Sequence, residues 1–304
     1  MAAVDLKSLD KQNMEKFLES FDIVLSDCDG VLWRETDVIN GSPEAVNKLK
    51  QLGKKFFFVT NNNGNTRLEL VKKCKNFGYN AVTEEILCTS YLAAVYLKEK
   101  NFQKKVYIVG SEGIAQELDA QGIKHFGVGP DVMIGNELDI HKSFEPDPDV
   151  GAVIVGFDKH FSYPKLVKAA TYAQMPGVHF LGTNPDLQRP SPYKTRYPGA
   201  GCFLLAIEAA AGKKAVILGK PETFISEIIK QKFHVNPSRT LMIGDNLNTD
   251  ILLGKRCGYL TLMVLSGITS QEDLEVLKNS NSSILPDFWT NQLSDLHACL
   301  NTLS

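Results

Sequence analysis

Two aspartates, Asp27 and Asp29, stand one residue apart just after the short apolar run of residues 23–25. Side chains alternate along extended backbone, so the two carboxylates should point the same way and the intervening Cys28 the other way. Two negative charges held close together are costly unless a cation joins them or one is protonated, and Mg²⁺ prefers hard oxygen ligands. The pair therefore predicts a metal site, a proton-transfer role, or both.

Further polar groups follow three more apolar runs that are typical of buried parallel strands. They are Thr60 at the end of residues 56–60, Lys220 after residues 215–218, and Asp245 and Asp250 after residues 240–243. Because the carboxyl ends of parallel strands meet at one edge of a sheet, we expect these groups to converge on the aspartate pair. A carboxylate, a hydroxyl donor, an ammonium group and a second acidic cluster are what phosphoryl transfer requires.

Each of these residues also has an ordinary structural explanation. A pair of aspartates before a glycine can simply end a strand in a turn, and Thr60 is a residue that strands favour. Lys220 could be a solvated charge, and Asp250 could cap a helix that begins near Asn248. The position of these residues at the ends of four apolar runs, rather than any one residue type, favours a functional interpretation.

Composition limits the possible functions. The chain has 304 residues, of which 43% are hydrophobic and 22% charged, so it is long enough for two domains. A formal net charge of -2 predicts no general attraction to nucleic acid or to anionic membranes. The longest apolar runs, such as residues 260–265, are too short to span a bilayer, and residues 1–19 lack the apolar region of a signal peptide. We expect a cytoplasmic protein.

The six cysteines are scattered and show no C-x-x-C spacing. This pattern argues against a zinc site and against a disulfide framework. Cys28 lies next to Asp27, but its opposite orientation favours a packing role over redox chemistry.

Short apolar runs alternate with helical patterns along the chain, which predicts an α/β protein with a mostly parallel sheet. More chain lies between Thr60 and Lys220 than one crossover helix needs. That stretch has apolar runs of its own at residues 106–109, 152–155 and 178–181, and a helical pattern at residues 164–174. We therefore expect an inserted α/β domain over residues 100–195, and a core formed by residues 1–99 and 196–304.

Four motifs, in the same order, resemble those of the haloacid dehalogenase-type phosphatases. Within that superfamily, the motifs are most similar to those of the subfamily that contains phosphoglycolate phosphatase and pyridoxal phosphate phosphatase. The motifs are Asp27-Cys28-Asp29-Gly30-Val31-Leu32-Trp33, Val59-Thr60-Asn61-Asn62, Gly219-Lys220-Pro221, and Gly244-Asp245 through Asp250. The resemblance covers nearly the whole chain. It implies a Rossmann-like core, with the inserted domain acting as a cap that excludes water and selects the substrate.

The resemblance also implies catalytic roles. Asp27 would attack phosphorus and form an aspartyl-phosphate, and Asp29 would act as general acid and then as general base. Thr60 and the backbone near Asn61 would bind the phosphoryl oxygens, with Asn62 in the same substrate-binding motif. Lys220 would pair with the phosphoryl oxygens and with Asp27.

A magnesium ion is the cofactor that the resemblance implies. Asp27, the backbone carbonyl of Asp29 and Asp245 would hold it, and Asp250 would orient these ligands from an outer shell. The ion would let two anions, carboxylate and phosphate, approach each other.

Substrate selection is expected to depend on the cap. His160 matches a substrate-contacting loop of relatives, and Asn184 and Asp186 lie in a turn-rich stretch that could face the core. A single histidine is more often structural or exposed, and Asn-Pro-Asp is common turn chemistry.

Some residues depart from the motif pattern of that subfamily. Residues 63–65 read Asn-Gly-Asn, and Asn246 and Asn248 stand where relatives commonly carry Arg and Asp. Because Asp245 and Asp250 are retained, catalysis should survive, and the changes bear on the choice of substrate.

We expect a Mg²⁺-dependent phosphatase of small phosphorylated metabolites, with phosphoglycolate ahead of pyridoxal phosphate and p-nitrophenyl phosphate as an artificial substrate. A phosphoprotein phosphatase and a non-catalytic phospholigand-binding scaffold are the alternatives. By resemblance alone, a homodimer formed through the cap is expected.

Overall fold

The computed structural model of the chain describes residues 3–189, 194–233, 235–280 and 282–301. The strands of these residues are β1 (Val4–Asp5), β2 (Ile23–Ser26), β3 (Trp33–Arg34), β4 (Asp37–Val38), β5 (Lys55–Thr60), β6 (Ile86–Cys88), β7 (Lys105–Val109), β8 (His125–Phe126), β9 (Val150–Val155), β10 (His179–Gly182), β11 (Gln188–Arg189), β12 (Tyr197–Pro198), β13 (Val216–Ile217), β14 (Thr240–Gly244), β15 (Leu260–Val264) and β16 (Phe288–Thr290).

The same residues form helices α1 (Lys11–Glu19), α2 (Ser42–Gln51), α3 (Arg67–Asn76), α4 (Thr89–Glu99), α5 (Glu112–Asp119), α6 (Glu137–Ser143), α7 (Tyr163–Gln174), α8 (Ala200–Ala211), α9 (Phe224–Phe233), α10 (Leu252–Cys257), α11 (Gln271–Asn279) and α12 (Leu293–Asn301). Within the described residues, no helix combines the length and the apolar character that crossing a membrane requires.

The largest sheet has seven strands in the order β1-β16-β15-β14-β2-β5-β6. Neighbouring strands from β1 to β5 in that order are parallel. Strands β2 and β14 are buried along their whole length, which is why their sequences are continuous apolar runs rather than alternating ones. Parallel pairing brings the carboxyl ends of β14, β2 and β5 side by side, as the sequence predicted.

A second sheet has five strands in the order β13-β10-β9-β7-β8, and all its neighbouring pairs are parallel. Strand β9 is fully buried, and α7 packs against β7 and β9. The three apolar runs and the helical pattern expected in the inserted region are therefore confirmed, within one or two residues at each end.

One strand belongs to a different sheet than expected. The run at residues 215–218 precedes Lys220, and its position in the motif order predicts a strand of the core sheet. Instead β13 pairs with β10 in the five-stranded sheet. Since an apolar run of this length carries no information about its partner, the sequence pattern could not distinguish the two sheets.

The chain divides into two compact units, and the fold class expected from the sequence is confirmed. The first unit comprises Met1–Thr60, Leu70–Leu87 and Lys220–Ser304, and the second comprises Asn61–Glu69 and Cys88–Gly219. The inserted unit thus begins before residue 100 and ends after residue 195, so it includes α4 and α8. These helices bury their apolar faces within it, α4 against α5 and α8 against α7.

Candidate active site

Three of the expected functional residues lie at the carboxyl edge of the seven-stranded sheet. Thr60 is the last residue of β5, Asp245 directly follows β14, and Asp27 directly follows β2. The backbone N–H of Asp27 donates to the carbonyl of Ile243 at 2.9 Å, so the parallel ladder continues up to the first aspartate. The convergence predicted from the sequence is confirmed for these residues.

Lys220 reaches the same place from outside the sheet. Its Nζ lies 2.6 Å from Asp27 Oδ1 and 2.8 Å from Asp250 Oδ1, and it donates to the carbonyl of Val59 at 3.2 Å. Burial alone would lower the pKa of this ammonium group, but the two carboxylates outweigh burial and raise it. Lys220 therefore stays charged. It bridges Asp27 of the first motif and Asp250 of the last, and its contact with Asp250 was not predicted from the sequence.

Three carboxylates form a tight group in the first unit. Ligand oxygens of Asp27, Asp245 and Asp250 all lie within 4.8 Å of one another. Burial raises the pKa of each, and Lys220 opposes this shift in all three. With the repulsion of neighbouring carboxylates added, the pKa of Asp245 reaches about 8 and that of Asp250 about 6. One lysine cannot neutralise three such groups. The donor set, made entirely of carboxylate oxygens, fits a hard divalent cation such as Mg²⁺.

The loop after β15 holds Asp245 in place. The backbone N–H of Ile268 donates to Asp245 Oδ2 at 2.8 Å, and that of Thr269 donates to the Asp245 carbonyl at 3.0 Å. A Cβ added at Gly30 or Gly267 would overlap the Asp245 carboxylate, so both glycines are needed for this close approach. This loop was not predicted from the sequence, although it follows the apolar strand β15 just as the predicted motifs follow their strands.

Asp250 lies on a single π-helical turn, Leu247–Ile251, that leads from β14 towards α10. Its Oδ2 accepts from the backbone N–H of Asn246 at 3.1 Å. The side chain that caps the turn belongs to Asn246, which accepts from the Asn248 N–H at 2.9 Å. Asp250 is therefore not the helix cap considered from the sequence, and π turns of this kind often lie at functional sites.

Asp29 has a hydrogen-bond partner of its own in the β3–β4 hairpin. Its Oδ1 accepts a hydrogen bond of 2.9 Å from the indole Nε1 of Trp33. The next residue, Arg34, donates from Nε and one terminal nitrogen to the carbonyl of Ser266, and the Ser266 hydroxyl donates to the carbonyl of Gly30. The β3–β4 hairpin thus connects the first motif to the loop that holds Asp245.

Cys28 is buried, and burial together with the Asp27 charge raises the pKa of its thiol. A thiol in this environment stays protonated and is a poor nucleophile. The observation agrees with the packing role predicted for Cys28.

Asn61, Asn184 and Asp186 form a hydrogen-bonded group in the second unit. Asn61 Nδ2 donates to Asp186 Oδ2 at 2.9 Å, and Asn184 Nδ2 donates to the Asn61 carbonyl at 2.8 Å. The side chain of Asn62 accepts from the backbone N–H groups of Gly64 and Asn65. These side chains are engaged in shaping the segment after β5, so a role of Asn61 and Asn62 towards substrate stays a prediction.

His160 lies in the turn between β9 and α7, and it is not adjacent in sequence to the group of Asn61, Asn184 and Asp186. Its backbone N–H donates to Asp158 Oδ1 at 2.8 Å, and Asp158 Oδ2 lies 2.5 Å from the buried Nζ of Lys165. The turn is therefore fixed by a buried ion pair, and the side chain of His160 is half-buried.

Two family models match the chain. Residues 24–124 match the model described as haloacid dehalogenase-like hydrolase, and residues 217–296 match one described as HAD-hydrolase-like. The two matched stretches contain the four sequence motifs and the residues of the carboxylate group.

Relatives extend the similarity over the whole chain. A glycerol-3-phosphate phosphatase of Mus musculus is 38% identical over 300 residues, which covers 95% of this chain and 94% of the relative. A chloroplastic phosphoglycolate phosphatase 1A of Arabidopsis thaliana is 37% identical over 289 residues, which covers 93% and 78%. Among solved structures, a p-nitrophenyl phosphatase from Archaeoglobus fulgidus superposes with a TM-score of 0.78 at 27% identity and covers 92% of this chain and 99% of that one.

Proposed function

The chain belongs to the haloacid dehalogenase-like hydrolases and is a phosphatase of small phosphate esters, and on that basis we propose that it cleaves alkyl phosphate monoesters through a phosphorylated Asp27. The observation that carries this proposal is the ion pair of Lys220 with Asp27 and Asp250 at 2.6 and 2.8 Å. A non-catalytic scaffold has no need to hold an ammonium group between two carboxylates away from water, since such a cluster costs stability and is typical of functional sites.

The proposed reaction has two steps. Asp27 attacks phosphorus, the bond from phosphorus to the ester oxygen breaks, and Asp29 gives its proton to the departing oxygen. Asp29 then takes a proton from water as that water attacks phosphorus and the bond from phosphorus to Asp27 breaks, which releases inorganic phosphate and restores the Asp27 carboxylate and the protonated Asp29. Thr60 and Lys220 stabilise the charge on the phosphoryl oxygens in both steps.

Mg²⁺ is the proposed cofactor, because the carboxylate group of Asp27, Asp245 and Asp250 fits it. Asp27, Asp245 and the backbone carbonyl of Asp29 would be its ligands, with Asp250 supporting them. When bound, the ion supplies positive charge that offsets the repulsion between the attacking carboxylate and the phosphate.

The proposed substrates are glycerol-3-phosphate and 2-phosphoglycolate. Relatives named for these two esters are 38% and 37% identical to the chain, so identity does not favour one over the other. Both esters carry the phosphoryl group on a primary alkyl oxygen, which is a poor leaving group and needs a proton donor. The sequence-based preference for phosphoglycolate is therefore widened to a proposal of primary alkyl phosphate esters, which include it.

A homodimer formed through the cap and a cytoplasmic location remain proposals that come from the resemblance and the composition. One relative is chloroplastic by name, so location differs among relatives. Light scattering on purified protein and fractionation of cells that express it would test these two points.

A substrate panel tests the proposed function. Initial rates of phosphate release would be measured with Mg²⁺ for glycerol-3-phosphate, 2-phosphoglycolate, pyridoxal phosphate, a phosphoserine peptide and p-nitrophenyl phosphate. We expect the highest kcat/KM for one of the first two esters, whereas preference for pyridoxal phosphate or the peptide would overturn the substrate proposal.

The same panel with Asp27→Asn tests the covalent route. An amide is nearly isosteric with the carboxylate but is not a competent nucleophile, so kcat should fall by about a thousandfold or more. Asp22→Asn is the matched control, because Asp22 pairs with Arg239 at the start of β2 and away from the site. Substantial turnover by Asp27→Asn with an unchanged melting curve would exclude the phosphorylated intermediate.

A further inference from the structure

Trp33 is buried next to Asp29, with only 1% of its surface exposed. Its indole nitrogen donates to Asp29 Oδ1 at 2.9 Å. An indole N–H can donate a hydrogen bond but cannot accept one, and a buried indole nitrogen needs an acceptor. The contact therefore constrains the carboxyl group as well as the indole.

The backbone around Trp33 holds the indole at a fixed distance from Asp29. The N–H groups of Leu32 and Trp33 donate to the carbonyl of Cys28 at 2.8 and 3.2 Å, and the N–H of Gly30 donates to the carbonyl of Trp33 at 2.7 Å. Gly30 has a φ of +88°, a left-handed conformation that closes this turn and favours glycine. The ring and the carboxylate thus belong to one closed turn.

The indole ring is also packed on its faces and edges. Tyr79 and Phe77 lie 5.9 and 5.8 Å from it between ring centroids, and the Nζ of Lys73 lies over it at 4.6 Å. A ring held by three side chains and by its own turn cannot follow a moving carboxylate. Asp29 must adapt to Trp33, and not the reverse.

We propose that Trp33 is a positioning residue that keeps the transferable proton of Asp29 on Oδ2 and keeps that oxygen in one orientation. The indole N–H engages Oδ1, and a carbonyl oxygen is a better acceptor than a hydroxyl oxygen, so Oδ2 is the oxygen left to carry and exchange the proton. The inference deepens the proposed function and rests on Asp29 as its general acid and base.

The consequence is a dependence on the leaving group. A poor leaving group, such as an alkyl alcohol, needs the proton from Asp29 as its bond to phosphorus breaks. A good one, such as p-nitrophenol, departs with little help. Loss of proton positioning should therefore slow alkyl esters selectively, whereas general damage to the site should slow every ester by the same factor.

Trp33→Phe tests this inference, because it removes the N–H and keeps an aromatic ring. We expect kcat/KM for the alkyl esters to fall by about tenfold to a hundredfold, and that for p-nitrophenyl phosphate to change by less than about threefold. The matched control is Tyr79→Phe, which removes a hydroxyl that donates to the Leu32 carbonyl at 2.7 Å in the same cluster but does not touch Asp29. Tyr79→Phe should change kcat/KM by the same factor for alkyl and aryl esters.

A double-mutant cycle separates positioning from packing. In an Asp29→Asn background, Trp33→Phe should cause no further selective loss, because the group that it positions is already inactive. If Trp33→Phe does not fold, benzothienylalanine at position 33 keeps the bicyclic shape and lacks only the N–H donor, and the same selective loss is expected. An equal factor for all esters, or no change, would overturn the proposal in either variant.

The outcome can be told apart from failure of the proposed function. Should the wild-type protein not accept the two alkyl esters, a series of substituted phenyl phosphates still grades the leaving group, from p-nitrophenyl to unsubstituted phenyl phosphate. A steeper dependence of kcat/KM on the leaving group in Trp33→Phe than in wild type would support the role of Trp33. Equal dependence would refute it.

Discussion

Asp245 shows how single residues determine the chemistry of this edge of the sheet. The backbone N–H of Ile268 donates a hydrogen bond to Asp245 Oδ2, and the absence of side chains at Gly30 and Gly267 leaves room for the carboxylate. A buried carboxylate with a pKa of about 8 is unfavourable by itself, so the neighbouring groups hold it where a cation can offset its charge.

Gly267→Ala should weaken the binding of Mg²⁺, because the added Cβ would push Asp245 away from Asp27 and Asp250. Loss of such positioning reduces metal affinity by about tenfold or more. The check is the Mg²⁺ concentration that gives half of the maximal rise in melting temperature, together with that for activity. Gly258→Ala is the control, since its φ of +70° makes alanine strained but nothing lies near its Cβ. It should lower stability and leave the Mg²⁺ requirement unchanged, and equal requirements in both variants would contradict the role of Gly267.

At this scale the sequence predicted the reactive residues better than the residues that position them. Asp27, Thr60 and Asp245 could be found because each lies at the end of an apolar run or within two residues of it, and the geometry of parallel sheets then places them together. Trp33 and Ile268 contribute an indole N–H and a backbone N–H. A tryptophan is usually read as core, and a backbone amide has no sequence signature, so neither could be assigned a role in advance.

At the scale of elements, the loops after β2, β14 and β15 form one connected structure. The β3–β4 hairpin joins the first loop to the third through Arg34 and Ser266, and the third loop holds the second through Asp245. Apolar runs predicted eight of the described strands to within one or two residues, but not the short strands β1, β6 and β16 of the seven-stranded sheet. They could not predict that β13 pairs in the second sheet, or that α4 and α8 belong to the inserted unit, because helical and strand periodicity specify an element but not its partner.

The turn that carries His160 is the element on which substrate choice is proposed to depend. Because the ion pair of Asp158 and Lys165 fixes this turn, His160→Ala should remove one side chain without moving the backbone. We expect a change of at least about fivefold in the ratio of kcat/KM values between alkyl and aryl esters, since one lost polar contact is worth that much. Lys159→Ala, at the exposed neighbouring position, is the control and should leave the ratios unchanged.

Lys220→Ala provides the opposite pattern. This residue neutralises charge that is common to every phosphoryl transfer, so its loss should depress turnover of all esters together. An equal effect of His160→Ala on all esters, or no effect, would remove His160 from the specificity residues and leave Asn184 and Asp186 as the cap candidates.

At the scale of the whole molecule, the carboxylate group links stability to pH and to metal. The pKa of Asp245 is raised to about 8 and that of Asp250 to about 6 in the folded chain, whereas in the unfolded chain both return to the ordinary value of an aspartate. The folded state therefore binds protons more tightly. Their contribution to stability is present at low pH and is lost as the pH rises through about 6 for Asp250 and about 8 for Asp245, which is opposite in sign to that of a carboxylate whose pKa falls on folding.

Melting curves in chelator and in Mg²⁺ check this linkage. In chelator, the contribution of Asp245 should raise the melting temperature as the pH falls from about 8.5 to about 6.5, and each kcal/mol corresponds to about 1.5–2 °C in a chain of 304 residues. Mg²⁺ should stabilise the protein more at the higher pH, where its carboxylate ligands have lost their protons.

Asp245→Asn isolates the effect from other titrating groups, because it removes the charge while keeping the shape. In chelator at the higher pH this variant should melt above wild type, and it should show a weaker dependence on both pH and Mg²⁺. If the two proteins had the same pH dependence and the same response to Mg²⁺, Asp245 would be neither a buried acid of raised pKa nor a ligand of the metal.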